Sequence, residues 1–528
     1  MTNVFEQNIY QLLKQASNLA PDKVAVVDDY DQYAYRDLRI AVERLAGAFK
    51  KNGINKGDVV SFQLPNWVES IVVHQALAMI GAISNPVIPI YRQNELKYIL
   101  TQSKTKMLII PKTFRKFDFV EMVRTIHPDL PHLEKVIVLD KYQENHSLND
   151  WNEVDFFAFM NSAAPHEEIE DVVETDPALL LYTSGTTSHP KGVIHSHKTL
   201  ICEIQSIARL YELGEQDVIY MPSPVTHITG LLYGMELPFM IQGKVVLQDI
   251  WDPHKAIQHV IQEECTWTIG ATPFLKDMVD TITESERTQL RLKVFACGGA
   301  DVPPELILQA SKVLNCYVTR VYGSSEYPTL TACGPKDLIE KAALTDGKLF
   351  EGAQAIIVDD LGAALSAGEV GELAVKGPEL FLGYIQEEYN KSAFLEDGYF
   401  LTGDLAVMDA DGFIEIKGRK KDIIIRGGEN ISVKELETLL YQHPKISTVA
   451  IVAMPDERMG EKVCAYVVLN KHVPSLHLAE INQFLEEIGI AKQKLPERLE
   501  IIEEMPITAS GKIQKYLLRE DIRKKLCS

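Results

Sequence analysis

The sequence has few cysteines, and none of them is placed to bind a metal. The seven cysteines form no Cys-x-x-Cys pair and have no metal-ligand spacing with histidine; they are Cys202, Cys265, Cys297, Cys316, Cys333, Cys464 and Cys527. Without such spacing, neither a zinc site nor the disulfide framework of a small secreted protein is indicated. We therefore expect a protein of a reducing, cytoplasmic compartment.

Positive charge is also scarce. The chain has 53 Lys and Arg against 74 Asp and Glu, which gives a formal net charge of −21. Because a nucleic-acid partner requires clustered cations that displace counterions, this charge argues against binding to nucleic acid and to anionic membrane surfaces. A small anionic ligand remains compatible with it, since a local group of backbone N–H donors can hold phosphate against the global field.

Long hydrophobic runs and targeting signals are missing as well. The longest uncharged run, residues 70–91, contains His74, Gln75, Asn85 and Pro86, which favours a buried helix followed by a strand over a membrane span. The N-terminal residues have no basic stretch followed by an apolar one, and the C-terminal residues form no peroxisomal signal. We expect a soluble protein without a membrane span.

The 528-residue chain does contain the alternation of strands and helices that is typical of a mostly parallel sheet. From about residue 177 to 330, apolar runs predict strands at 179–183, 244–248, 266–271, 292–299 and 317–323. Amphipathic stretches predict helices at 197–211, 253–264 and 303–314. An earlier α/β section, at about 10–175, includes a nearly wholly apolar helix at 69–82.

Two later segments have a different pattern. Between about 345 and 417, glycine-punctuated alternation predicts a small antiparallel sheet or barrel. After residues 419–422, further strands and helices predict a separate α+β domain, in which Ser432 and Glu435 form a capping box at a helix start. We therefore predict an α/β protein with a large N-terminal domain at 1–418, made of two α/β sheet subdomains and a small β-barrel-like subdomain, then a linker at 419–422 and a small α+β domain at 423–528.

The segment TSGTTSHPKG, from Thr183 to Gly192, is the strongest single indication of function. Its hydroxyls, glycines and lysine come directly after a predicted strand and shortly before a predicted helix, so its donors can wrap a polyphosphate. It is not a Walker A loop, because Lys191 follows Pro190 and no Ser or Thr comes next. On composition alone, an ordinary surface loop rich in turn residues would be the preferred interpretation.

Six further motifs occur in order: PVTHITG at 224–230, GGA at 298–300, YGSSE at 322–326, TGD at 402–404, GRKKDIIIRGGEN at 418–430 and PITASGK at 506–512. With the loop, they make nearly the whole chain resemble the adenylate-forming superfamily of acyl-CoA synthetases, luciferases and peptide-synthetase adenylation domains. The family's loop reads close to TSGTTGxPKG, and Ser188 stands where it usually has Gly, which restricts the backbone there. The resemblance implies an AMP-forming acid–thiol ligase that uses ATP.

The resemblance also implies a nucleotide site. Tyr322 would stack on adenine, and Asp404 and Arg419 would contact the ribose hydroxyls. Glu326 and Thr183 would hold Mg²⁺, a hard ion that prefers oxygen ligands. The other implied nucleotide contacts are Ser184, Gly185, Thr186, Thr187, Lys191, Gly299, Ala300, Gly323 and Ser325. Taken singly, Tyr322 also fits a core aromatic, Glu326 and Arg419 fit surface charges, and Asp404 fits a turn residue.

Lys512 and His227 join Glu326 as the implied catalytic residues. Lys512 would bind the carboxylate and the α-phosphate while the carboxylate oxygen attacks phosphorus, a role that needs a cation and no base. His227 resembles the family's gate between the acyl and nucleotide sites. Without the resemblance, a lone histidine is more often structural, and Lys512 is one of many surface cations.

Lys421 matches the family's hinge, which makes the C-terminal domain a mobile lid. Rotation about a hinge would let one site admit first ATP and acid and then the thiol. Gly427 and Gly428 would then line the tunnel of the thiol, for which we expect CoA. The basic cluster at 419–421 is equally compatible with a solvated linker.

The acyl pocket is expected near residues 227–232, 270–274, 297–298 and Gly323. Acetate-specific relatives have a tryptophan at the position of Gly323, so a larger acid is expected here. The expected surroundings are apolar and include Val225, Ile228, Leu231 and Phe274. They favour a medium-chain, alicyclic or aromatic acid, as in the medium-chain and cyclohexanecarboxylate ligases, and the lack of a carboxylate near 225–230 argues against an amino acid.

No carrier domain follows Lys512 in this sequence, so we expect the acceptor thiol to come from another molecule. CoA is the simplest acceptor, and a separate acyl- or aryl-carrier protein is the alternative. An oxidative luciferase-like enzyme or a catalytically silent ATP-binding protein is an alternative of another class, against which the intact Lys512, Glu326 and Asp404 argue. The sequence leaves monomer and homodimer open.

Overall fold

Two mostly parallel β-sheets form the centre of the molecule. The computed structural model describes residues 7–141, 153–166, 171–183, 190–299, 302–426, 429–507 and 512–527. Within them, one sheet has nine strands in the spatial order Lys348–Leu349, Thr331–Ala332, Tyr317–Tyr322, Val294–Gly298, Trp267–Gly270, Val218–Met221, Lys244–Leu247, Val24–Val27 and Gln32–Ala34. The six strands from the third to the eighth in this order are parallel.

The second sheet has eight described strands. Their spatial order is Gly383–Tyr384, Lys191–Ser196, Pro177–Thr183, Ile83–Pro86, Val59–Phe62, Met107–Pro111, Lys135–Leu139 and Glu153–Asp155. The last six of these are parallel, whereas the first two pairs are antiparallel. A two-stranded ribbon joins Thr113–Phe114 to Phe117–Asp118.

The strands are not sorted into sheets by their position in the chain. The sequence pattern grouped Pro177–Thr183 with the strands that follow it, but this strand pairs with Ile83–Pro86 of the eight-stranded sheet. Conversely, Val24–Val27 pairs with Lys244–Leu247 of the nine-stranded sheet. An apolar run predicts that a strand is buried but not which partner it finds, because pairing depends on contacts far away in the sequence.

The apolar helix predicted at 69–82 is confirmed as Val68–Met79, and every one of its residues is buried. It packs within one hydrophobic core that includes strands of both large sheets. Its one imidazole is satisfied by polar partners: His74 Nδ1 lies 2.9 Å from Ser84 Oγ, and Nε2 lies 2.9 Å from Glu236 Oε1. A helix that is apolar all round is stable only in such a position.

The other helices mostly cover the sheets. The α-helices of the N-terminal part are Ile9–Leu19, Tyr35–Lys51, Val68–Met79, Gln93–Ser103, Phe119–Ile126, Phe156–Met160, His197–Leu210, Ile228–Leu231, Leu237–Met240, Pro253–Gln262, Thr272–Thr281, Glu284–Arg287, Pro304–Leu314, Ile339–Leu344 and Glu387–Asn390. Shorter 3₁₀ turns and one π segment are His127–Asp129, Leu232–Glu236, Lys420–Asp422 and Lys492–Lys494. The helices predicted at 197–211, 253–264 and 303–314 are therefore confirmed.

Residues 345–417 contain an antiparallel sheet, one of the two forms that the sequence left open. Its described strands are Gln354–Val358, Gly371–Lys376, Phe400–Met408 and Ile414–Arg419, in that spatial order. The turn Lys420–Asp422 follows directly, and the first strand of the C-terminal sheet, Ile424–Arg426, comes next. The division of the chain into domains at 419–422 stays a prediction.

The C-terminal part is α+β. Its sheet has the strands Glu429–Ile431, Ile424–Arg426, Gly460–Leu469 and Ile446–Asp456 in spatial order, and Arg498–Ile501 pairs in parallel with Gly460–Leu469. Its α-helices are Val433–Leu440, Leu478–Glu487 and Lys515–Cys527. Together with the two large sheets, this arrangement has the α/β class that the sequence predicted.

The predicted capping box at Ser432 is only half correct. Ser432 Oγ accepts a hydrogen bond from the N–H of Glu435 at 3.2 Å, so the helix begins where we expected. The Glu435 carboxylate, however, accepts from Lys494 Nζ at 2.7 Å and does not return to Ser432. Glu435 thus pairs with a lysine from a distant segment, whereas in a capping box it would accept a hydrogen bond from the N–H of Ser432. Among the described helices, none is long and apolar enough to cross a membrane.

Candidate active site

The phosphate-binding candidates Thr183 and Lys191 lie opposite each other in a β-hairpin. Thr183 ends one antiparallel strand, Lys191 begins the next, and the two residues are paired. The helix predicted shortly after this segment is present as His197–Leu210, and the strand Lys191–Ser196 precedes it. Burial lowers the pKa of Lys191. The predicted contacts Ser184, Gly185, Thr186 and Thr187, and the atypical Ser188, lie outside the described residues.

Three neighbouring parallel strands of the nine-stranded sheet end at the same edge. They end at Gly270, Gly298 and Tyr322. Ligands of open parallel sheets bind outside this edge. Gly299 follows with φ +81°, a left-handed conformation that favours glycine, and a Cβ added there would lie 3.9 Å from Lys512 Cε. The neighbouring candidate Ala300 lies outside the described residues.

Tyr322, Asp404 and Arg419 form one polar cluster. The Tyr322 hydroxyl donates to Asp404 Oδ2 at 2.6 Å, and Arg419 Nε lies 2.8 Å from Asp404 Oδ1. Asp404 and Arg419 come from adjacent strands of the four-stranded sheet and face each other in register. Burial raises the pKa of Asp404, and the Arg419 charge opposes that shift. Both predicted ribose contacts therefore meet beside the predicted adenine contact.

Glu326 and Ser325 lie on the loop that follows Tyr322. The Tyr384 hydroxyl donates to Glu326 Oε1 at 2.7 Å. The carbonyl oxygen of Ser325 accepts from His195 Nε2 at 2.7 Å. Burial lowers the pKa of His195 to about 4, so this imidazole is neutral at physiological pH and acts as a fixed donor. The loop is thus held in place by hydrogen bonds from two other strands, through His195 and Tyr384.

His195 and Tyr384 are residues that the sequence reasoning did not single out. His195 lies on the strand Lys191–Ser196, next to the phosphate hairpin, and its side chain is buried. Tyr384 follows Gly383 in a short edge strand. The only sequence signal is local: a polar residue within an apolar strand in one case, and a Gly-Tyr pair in the other.

Lys512 and His227 lie at the same cavity. Burial lowers the pKa of His227 to about 3, and the charge of Lys512 lowers it further. His227 Nδ1 accepts from the N–H of Thr229 at 3.4 Å, which leaves Nε2 as the protonated nitrogen of the neutral ring. Burial, followed by the Arg419 charge, also lowers the pKa of Lys512, while Asp404 and Glu326 oppose the shift. The C-terminal part thus supplies a cation to a site otherwise built by the N-terminal part.

The cavity has a volume of about 70 Å³. Its lining residues come from five segments and are Ser223, Pro224, His227, Ile228, Thr229, Ile269, Gly270, Ala271, Phe274, Gly298, Gly299, Val321, Gly323, Ser324, Ser325, Pro328, Thr329 and Lys512. Most of the expected acyl-pocket segments therefore meet here. Two expected residues do not line it, because Val225 and Leu231 are buried in the core.

Gly323 lines the cavity, and the expectation of an acid larger than acetate stays a prediction. A Cβ added to Gly323 would lie 1.9 Å from the carbonyl oxygen of Pro328, so the space beside this glycine is already filled by backbone. Phe274 bounds another side, where its ring packs against Trp251 at a tilt of 59°, with 4.6 Å between the ring centroids. Trp251 is in turn held by a hydrogen bond from Nε1 to Asp277 Oδ2 at 2.8 Å. Phe274 is therefore the aromatic boundary of the cavity.

The predicted hinge residue Lys421 lies in the 3₁₀ turn Lys420–Asp422. Arg519 Nη1 of the C-terminal helix donates to Asp422 Oδ1 at 2.8 Å, and Lys420 pairs with Glu372 of the four-stranded sheet. The turn therefore has one ion pair with the C-terminal helix and another with the four-stranded sheet. The predicted thiol contacts Gly427 and Gly428 lie outside the described residues.

Within the described ranges, no group of three or more His, Cys, Asp or Glu side chains is arranged to hold a metal ion. A metal at Glu326 would take further oxygen ligands, from the Thr183 hydroxyl and from a bound molecule. Phosphate oxygens are such ligands for Mg²⁺.

Comparison with known proteins adds family relationships to this geometry. The family model described as AMP-binding enzyme matches residues 13–385, and that described as AMP-binding enzyme C-terminal domain matches residues 435–512. The medium-chain fatty-acid–CoA ligase of Escherichia coli (strain K12) is 37% identical over 97% of this chain and 90% of its own. The 2,3-dihydroxybenzoate-AMP ligase of Bacillus subtilis (strain 168) is 30% identical over 98% and 94%.

Solved structures show the same fold. ATP-bound MatB from Rhodopseudomonas palustris has a TM-score of 0.87 at 25% identity and covers 98% of this chain and 100% of its own. An anthranilate CoA ligase in complex with anthranoyl-AMP has a TM-score of 0.89 at 22% identity, with 99% of each chain covered. These likenesses confirm the predicted fold, a large N-terminal domain followed by a small C-terminal domain.

Proposed function

The chain belongs to the AMP-binding enzyme family and is an adenylate-forming acid ligase, and we propose that it transfers the activated acyl group to CoA. In the first step a carboxylate oxygen attacks the α-phosphorus of ATP, and the bond to the β-phosphate breaks to release pyrophosphate. In the second step the thiolate attacks the acyl carbon and AMP leaves. The observation that carries this proposal is the position of Lys512 at the cavity, beside His227 and Gly299.

We assign the nucleoside to the Tyr322 cluster. The Asp404 carboxylate is already oriented by Tyr322 and Arg419, so it can accept hydrogen bonds from ribose hydroxyls without reorganising. The Tyr322 ring would pack against adenine, while Gly299, Ala300 and Gly323 would give the backbone close access. This preorganisation supports ATP as the nucleotide.

We assign the phosphates to the hairpin and the loop that follows Tyr322. Thr183 and Lys191 lie at the two ends of the hairpin, and Ser184, Gly185, Thr186 and Thr187 between them carry the family's pattern. Ser325 and Glu326 lie on the loop that Tyr384 links to Lys191, and a hydroxyl and a carboxylate at Thr183 and Glu326 suit Mg²⁺. When bound, this ion would neutralise charge on the phosphates.

Lys512 would stabilise the charge that develops at the α-phosphate. The attacking group is already an anion, so the step needs a positioned cation and no general base. His227 is neutral and half-buried, and it lines the cavity together with Lys512, which supports a role in separating the two halves of the site. Rotation about Lys421 would then withdraw Lys512 and bring Gly428 to the thiol.

The acid is proposed to be apolar, either of medium chain length or with an alicyclic or aromatic ring. Ile228 and Phe274 line the cavity, and a relative of 37% identity is a medium-chain fatty-acid–CoA ligase. A carrier protein is the second candidate acceptor, since the 2,3-dihydroxybenzoate-AMP ligase and enterobactin synthase component E are 30% and 31% identical.

The test is release of pyrophosphate and AMP with a panel of linear, alicyclic and aromatic acids. Each acid is assayed with CoA and with a phosphopantetheinylated carrier protein. We expect AMP formation that requires an apolar acid and CoA. Activity only with carrier protein would favour the second acceptor, and absence of acid-dependent AMP formation with every acid would refute the ligase proposal.

Substitution of Lys512 separates the two half-reactions. We expect Lys512→Ala to slow adenylate formation by about 100- to 1,000-fold, as loss of one group that stabilises transition-state charge does. Thioester formation from supplied acyl-AMP should fall far less, because Lys512 has no part in it. Lys524→Ala, on the exposed face of the C-terminal helix, is the matched control. Equal losses in both half-reactions would contradict the assignment.

A further inference from the structure

One tyrosine ring lies between two groups of the proposed phosphate site. Tyr384 belongs to the edge strand that pairs with Lys191–Ser196. Its ring centroid is 4.7 Å from Nζ of Lys191, and its hydroxyl donates to Glu326 Oε1 at 2.7 Å. The same side chain therefore contacts the cation of the hairpin and the carboxylate of the opposite loop.

A second ring completes the enclosure of the lysine. The centroid of Tyr389 is also 4.7 Å from Lys191 Nζ, and the two tyrosine rings are nearly perpendicular at 82°. In the described part of the chain, no carboxylate forms an ion pair with Lys191. Since aromatic faces attract a cation without neutralising it, the ammonium keeps its full charge for an anionic ligand.

The tyrosine is itself firmly held. Asn390 Oδ1 accepts from the N–H of Tyr384 at 2.8 Å, and Asn390 Nδ2 donates to the Tyr384 carbonyl at 2.9 Å. The N–H of Ile385 donates to the Gly192 carbonyl at 2.8 Å, which ties this segment to the residue after Lys191. Tyr384 is only 6% exposed. Its ring therefore has a fixed place relative to both Lys191 and Glu326.

We propose that Tyr384 is a positioning residue that fixes Lys191 and Glu326 relative to each other, with Tyr389 as the second wall around Lys191. The ring places the charge that meets the polyphosphate, and the hydroxyl orients the carboxylate opposite it. This inference rests on the proposed function, because the ligand it serves is ATP. It assigns separate tasks to the ring and to the hydroxyl, which substitutions can separate.

The role of the aromatic rings around Lys191 is tested first at Tyr389, by calorimetric measurement of ATP binding in EDTA. We expect Tyr389→Leu to weaken ATP binding about threefold, the effect of losing one cation–π contact, and Tyr389→Phe to leave it unchanged because the ring remains. In a Lys191→Met background, Tyr389→Leu should have no further effect. Tyr389→Met serves as a second variant should the leucine variant fail to fold.

The hydroxyl is tested by the same binding assay with added Mg²⁺. Tyr384→Phe keeps the ring, so ATP binding in EDTA should remain within about twofold of the wild type. The Mg²⁺ concentration that gives half of the metal-dependent gain in ATP affinity should rise about tenfold, because the carboxylate loses a charge-assisted hydrogen bond. Tyr384→Leu should show both defects.

Three results would overturn the inference. The first is that Tyr389→Leu weakens ATP binding as much in the Lys191→Met background as in the wild type. The second is that Tyr384→Phe has the same Mg²⁺ midpoint as the wild type. In both cases wild-type ATP binding would leave the proposed function intact. The third is absence of ATP binding by the wild type, which would refute the proposed function and this inference together.

Discussion

Replacement of Glu379 by glutamine should stabilise the protein, and more so at alkaline pH. Glu379 and Glu203 form a buried acid pair, with exposures of 1% and 0%. Glu379 Oε1 accepts from Ser206 Oγ at 2.5 Å, while Glu203 accepts from the Tyr233 hydroxyl and from the N–H of Thr329. Burial raises the pKa of Glu379 to about 7 from its ordinary 4.5, and it raises that of Glu203 well above its usual range.

The sign follows from proton linkage. The folded state binds the Glu379 proton more tightly than the unfolded state, so this stabilisation is complete below about pH 4.5 and is lost as the pH rises through about 7. At about 1.4 kcal/mol per pKa unit, the whole effect is about 3 kcal/mol. Between about pH 5.5 and 8.5 the loss is about 2 kcal/mol. Glu379→Gln keeps an acceptor for Ser206 but has no proton to lose.

The assay is thermal unfolding of the wild type and the variant in matched buffers. At about 2.1 cal/mol/K per residue, 2 kcal/mol corresponds to about 2 °C. We expect the unfolding midpoint of the variant minus that of the wild type to be about 2 °C larger at about pH 8.5 than at about pH 5.5. Glu351→Gln, which removes an exposed carboxylate, should show no such change. A difference between Glu379→Gln and the wild type that is the same at both pH values would refute the reasoning.

Two further substitutions address the ligands. Asp404→Asn should weaken ATP binding about 10- to 100-fold, because it removes the charge that Arg419 and Tyr322 orient; an unchanged ATP dissociation constant in calorimetry would contradict the ribose assignment. Phe274→Ala should enlarge the cavity towards Trp251 and shift preference to longer acids by about fourfold in kcat/KM per added methylene; an unchanged chain-length profile would argue against Phe274 as the boundary.

Local features of the fold could be predicted from the sequence, whereas strand partners could not. The helix Val68–Met79 and the strand Lys244–Leu247 could be predicted because each coincides with a mostly apolar run of the right length. Pro177–Thr183 has the same kind of run, yet it joins the strand Ile83–Pro86, far away in the sequence. The hydrophobic pattern of a segment indicates how the segment is buried, but it does not indicate which strand the segment pairs with.

The candidate site divides in the same way. Tyr322, Asp404 and Arg419 could be named because they lie in recognisable motifs, and the structure brings them together. His195 and Tyr384 could not, because each acts through a contact with a loop 58 or more positions distant. At Gly323, the carbonyl oxygen of Pro328 lies so close that a Cβ would not fit, and composition does not specify the turn that brings it there.

The pairing of Val26 with Val245 has a consequence for how the protein is made. A ribosome that adds about 5–20 residues per second needs roughly 10–40 s to produce the partner of this early strand. During that time the mostly apolar helix Val68–Met79 also lacks part of the core that later covers it. During synthesis the nascent chain therefore exposes an apolar helix surface and an unpaired strand edge, both of which favour aggregation. Synthesis is thus the stage at which we expect chaperones to matter most.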